Sequence, residues 1–151
     1  MNNNFNYYTG VLGYPLLFVI LIWLVFWIEA KFNIDLKSYG IQPRKMEGLS
    51  GVFLSPFLHA SLKHLLNNSI PLLVLSSAIF FFYKKISWRI ILYGILLSGL
   101  LTWIIGRDST HIGASGLIYV LISFVFFKGI LSKNFNLMSL SLIVVFIYGS
   151  T

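Results

Sequence analysis

The feature that most constrains this chain is the spacing of its charges. From Val11 to Ile28 no charged side chain interrupts an apolar run of about 18 residues, enough for one helical crossing of a bilayer. Comparable runs recur through the 151 residues, separated by short basic turns. Helices so patterned belong in lipid, where each must satisfy its own backbone polar groups. The composition points the same way. Hydrophobic residues make up 58%, charged residues 10%, and the mean hydropathy is +0.86, whereas a soluble domain carries about a quarter charged residues.

The expected architecture is an all-α membrane protein, one polytopic helical domain over residues 1–151. Its helices are expected at about 11–28, 56–83, 90–105, 114–131 and 137–151. Residues 1–10 read as a polar lead, and the absence of a basic leader and a cleavage site argues that the first run stays as a helix rather than serving as a signal peptide. Residues 29–54 read as a long interfacial loop. Pro56 suits the first turn of the second helix, and Pro71 should kink it. The last run is short against the roughly 20 residues of a full span, so the chain is expected to be truncated at its C-terminus.

Cysteine is absent, which removes disulfides and thiolate chemistry, and three histidines with four acids give no expectation of a metal or any other cofactor. The net charge of +7 lies between apolar runs, so it implies membrane orientation and no nucleic acid partner. Lys84, Lys85 and Arg89 in one turn, and Lys128 and Lys133 in another, should face the cytoplasm together with the N-terminus. The loop carrying His111 should lie on the other side.

Parity places the polar residues. The second and fourth helices run in the same direction, so their N-terminal halves share a membrane face. The second carries His59, Lys63, His64, Asn67 and Asn68 there, and the fourth begins at Gly113-Ala114-Ser115-Gly116. His64 and Asn68, four residues apart, differ by about 40° around a helix and can reach one oxygen. His59 lies about 140° from His64 on a continuous helix and need not join them. Polar side chains at this density inside a membrane mark a functional site, although histidine and asparagine also tie helices together by hydrogen bonds. A serine at a helix start beside such donors has the parts for acyl transfer, a nucleophile and groups aimed at a developing oxyanion.

Gly113-Ala114-Ser115-Gly116, together with His59, His64 and Asn68 spaced His-x4-His-x3-Asn, resembles the rhomboid family of intramembrane serine proteases. Gly40-Ile41-Gln42-Pro43-Arg44 and Ser55-Pro56-Phe57-Leu58 are similar to segments of its bacterial members. The resemblance implies a six-helix rhomboid-like bundle in a bacterial inner membrane that cleaves transmembrane segments of other proteins. It implies Ser115 as nucleophile, and an oxyanion hole of His64, Asn68 and the Ser115 N–H. His59 would be accessory, and Gly113 and Gly116 would allow close approach. In the family a sixth helix supplies the basic histidine. Five of the six helices are legible here, and no histidine follows His111. His111 itself reads as a loop-stabilising residue, with Asp108 as its expected partner. The 151 residues alone are therefore expected to cleave negligibly. The alternative to a protease is an inactive relative that binds transmembrane clients.

Overall fold

A computed structural model describes residues 2–149, with side chains from Gly10 onward. Its long helices are α1 (Asn2–Phe32), α3 (Leu62–Phe82), α4 (Ser87–Ile105), α5 (Ser115–Leu131) and α6 (Phe135–Gly149), with a single turn, α2 (Gly51–Leu54), ahead of α3. Three segments, Gly10–Phe32, Leu62–Phe82 and Ser87–Ile105, are long and apolar enough to span a membrane, while α5 and α6 are shorter apolar helices. Large apolar side chains face outward along these helices, among them Ile105, Leu131 and Phe146, as lipid-facing helices require. The chain is an integral membrane protein with a helical-bundle fold.

Several boundaries differ from expectation. Helix α1 includes the polar lead from Asn2, and it extends past Ile28 to Phe32. It stops where Asn33 turns to φ 52° and the Ile34 N–H reaches back to the Glu29 carbonyl at 3.2 Å, the left-handed ending that asparagine tolerates. The helix read as 56–83 begins only at Leu62. Ser55–Phe57 forms a 3-10 turn around Pro56, Leu58 is extended, and Ser61 caps α3 by accepting the His64 N–H at 3.2 Å. A serine cap satisfies one of the four orphan donors of a helix start, and here it defines where α3 begins. Helix α3 then runs unbroken through Pro71. The last two residues of the expected fifth span, Ser150 and Thr151, and Met1 lie outside the described residues.

Helix α3 is central. Its buried Leu65, Leu72, Leu75 and Ile79 recur three, four and seven residues apart. They pack with Leu117, Ile118, Leu121 and Val125 of α5, Ile22 of α1, and Leu137 and Val144 of α6. Lipid is as apolar as leucine, so close packing and buried hydrogen bonds hold such helices together. Trp23 Nε1 donates to Ser69 Oγ at 3.0 Å to tie α1 to α3. A tight turn at Lys133 (φ 51°) folds α6 back along α5, with Asn134 Oδ1 accepting the first N–H groups of α6.

The long connection is organised rather than loose. Ile41 and His111 exchange both backbone hydrogen bonds, at 2.9 and 2.8 Å. The Arg44 guanidinium donates to the Gly106 carbonyl at 2.8 Å, and Trp103 Nε1 donates to the Lys45 carbonyl at 2.8 Å. Residues 40–45 thus clamp the C-terminal end of α4 and the strand of loop leading into α5, where a cation also complements the helix dipole.

Candidate active site

The loop from Gly106 enters α5 through Gly113, whose φ is +107°, a region open to glycine and strained for other residues. The Gly113 N–H donates to the Ser55 carbonyl at 2.8 Å, which fixes the turn against the segment ahead of α3. Across the same turn stand two side chains of α3. A methyl group added to Gly113 would lie 2.5 Å from His64 Cε1 and 3.3 Å from Asn68 Nδ2. The glycine is required by close approach as well as by backbone angle. Gly116, one turn on, packs closely on Ser98 of α4.

Ser115 is the first residue of α5, after Ala114 as cap. The helical ladder starts with Ile118 N–H bonding the Ala114 carbonyl at 2.9 Å, so the Ser115 N–H lies outside it, at the positive end of the helix dipole. On one side Ser115 opens on a cavity of about 170 Å³ lined also by Ser55, Ser98, Thr102, His111 and Tyr119. His64 and Asn68 do not line that cavity. They approach the Gly113 turn from the α3 side.

Asn68 is fully buried. Its Oδ1 accepts from the Tyr148 hydroxyl of α6 at 2.7 Å, while its Nδ2 has no partner. The Tyr148 hydroxyl also lies near the Ser115 side chain. Tyr148 lies 80 residues from Asn68 on a helix with no polar pattern of its own, and its part here left no mark in the sequence.

His59 is buried against His64, the two rings meeting edge to face with centroids 5.1 Å apart. The separation of about 140° assumed a continuous helix; because His59 precedes the Ser61 cap, the extended segment swings it onto His64. Neither ring nitrogen of His59 has a hydrogen-bond partner. Burial first, and then the neighbouring His64, lower its pKa from 6.5 to about 4, with the Phe57 backbone weakly opposing the shift. The folded state therefore binds fewer protons than the unfolded state between those values. Stability should fall as the pH drops from about 6.5 to about 4, by up to about 3 kcal/mol. Thermal unfolding in detergent at pH 7.5 and 4.5 measures this. His59→Asn should show a visibly smaller acid loss than the wild type, and an equal loss would contradict the assignment.

His111 lines the cavity, but its Nε2 bonds the Arg107 carbonyl at 3.0 Å and reaches Ser109 Oγ at 3.4 Å. Its partner is thus the Arg107 backbone rather than Asp108. No histidine hydrogen-bonds Ser115 among the described residues, and no cluster there could hold a metal ion.

The chain is similar to known proteins over most of its length. The Rhomboid domain family matches residues 47–151. Uncharacterized proteins of Mycobacterium bovis and Mycobacterium tuberculosis are each 38% identical over 147 residues, covering 89% of this chain and 58% of the relative. One of Mycobacterium leprae is 32% identical over 132 residues, covering 79% and 50%. The chain thus spans little more than half the length of these relatives. No solved structure matches.

Proposed function

Because this chain belongs to the rhomboid family, we propose that it is an intramembrane serine endopeptidase cleaving transmembrane segments of other membrane proteins. Ser115 Oγ would attack the scissile carbonyl carbon. The negative charge developing on the carbonyl oxygen would be met by Asn68 Nδ2, a ring N–H of His64 and the Ser115 N–H. His59 would brace His64 from behind, and Gly113 would leave the room in which the oxygen sits.

The observation that carries this reading is the Asn68 amide. If Asn68 served only to join helices, both ends of its amide would be paired. One end is, yet the Nδ2 donor is fully buried, unpaired and beside the glycine turn. An unpaired buried donor costs about 1–3 kcal/mol, which a site built to receive an oxyanion recovers in the transition state.

One observation favours a second reading for these 151 residues alone. Attack by serine needs a proton acceptor, and no described histidine bonds Ser115. By themselves the residues would hold a transmembrane client without cutting it.

For location, the five cations flanking the α3–α4 and α5–α6 turns favour the cytoplasmic side of a bacterial inner membrane for those turns and the N-terminus. The Ser115 end would then face outward. The test is cleavage of a reporter bearing one transmembrane segment by the protein from its complete reading frame, in liposomes. Asn68→Ala should lower turnover by about 10²- to 10³-fold, as loss of one oxyanion donor does. Wild-type turnover in that variant would contradict the role given to Asn68.

A further inference from the structure

A donor can stabilise an oxyanion only if it points at it. The Asn68 side chain has two faces of opposite polarity, and rotation by half a turn about its last bond would present Oδ1 where Nδ2 now stands. An oxygen there would repel the developing charge instead of stabilising it. Something must select between the two orientations, and among the described residues no side-chain hydrogen bond within α3 itself does so.

Tyr148 meets that need. Its hydroxyl lies 2.7 Å from Asn68 Oδ1 and donates to it, since a carbonyl oxygen can only accept. The ring is seated edge to face on Tyr119 of α5, with centroids 5.5 Å apart, so the hydroxyl is aimed by packing as well as by hydrogen bonding. Resting on the proposed Asn68 role, we propose that Tyr148 is a positioning residue. It locks the Asn68 amide with Nδ2 toward Gly113.

Tyr148→Phe removes the hydroxyl and keeps the ring. In the full-length protein in liposomes, kcat on the transmembrane reporter should fall about 10- to 100-fold, with KM within twofold, because the donor is misdirected and not lost. The deciding readout is a double-mutant cycle. On an Asn68→Ala background Tyr148→Phe should cost less than about twofold more, since there is no amide left to orient. A purely structural tyrosine would lower the melting temperature and multiply its loss on both backgrounds. Multiplicative losses, or a Tyr148→Phe kcat within twofold of wild type, overturn the positioning role while leaving the protease reading intact. A wild-type protein that does not cleave, or cleavage that persists in Ser115→Ala, overturns both.

Discussion

Replacing Ser115 by alanine is expected to abolish cleavage, lowering turnover on the order of 10⁶-fold, the scale seen when a serine protease loses its nucleophile. The size follows from what is lost. Alanine leaves no oxygen to form the acyl-enzyme. The fold should be untouched. The side chain is only partly buried at the first position of α5, and the Ala114 cap and the ladder beginning at Ile118 are backbone features. Melting temperature in detergent should stay close to wild type while product formation vanishes. A variant that kept even a tenth of its turnover would exclude Ser115 as the nucleophile.

Gly113→Ala is expected to have the next largest effect, and it acts on fold and chemistry together. At φ +107° an alanine is strained, at a cost of about 1–3 kcal/mol. Its methyl would meet the His64 ring at 2.5 Å and the Asn68 amide at 3.3 Å. Neither can retreat easily, because Asn68 is held by Tyr148 and His64 is backed by His59. The result should be displacement of two oxyanion donors at once. Turnover should fall on the order of 10³-fold or more, with a lower melting temperature. Gly116→Ala provides the contrast. Its methyl would touch only Ser98, at 3.1 Å from Cβ, so a milder loss is expected there. Equal effects at the two glycines would contradict this account of Gly113.

The bundle was legible because hydropathy is a direct physical record of lipid exposure. The charged turns mark the helix ends and the parity of α3 and α5, which put Ser115 level with His64 and Asn68. Individual starts were less legible. Pro56 read as the opener of the long helix, yet it opens only a short 3-10 turn ahead of it, and the true cap, Ser61, is one hydroxyl among many in the sequence. That single boundary moved His59 off the helix and onto His64, a meeting that the helical angles had left open. The long connection looked merely interfacial, since nothing local announces the Ile41–His111 pairing or the grip of Arg44 on the end of α4. Tyr148 was illegible for the same reason. A contact across 80 residues depends on how α6 lies against α3, and a lone tyrosine in an apolar run carries no pattern.

The measurement that tests the central claim most directly is the site of reaction with a fluorophosphonate. An activated serine oxygen displaces fluoride and forms a bond to phosphorus, leaving a stable mass increment on one residue. The protein from its complete reading frame should be labelled in liposomes and its peptides mapped by mass spectrometry. Modification of Ser115, absent from Ser115→Ala and strongly reduced in Asn68→Ala, is the expected result. A wild-type protein left unlabelled, or a label carried by another residue and retained in Ser115→Ala, would contradict the assignment of Ser115 as the nucleophile.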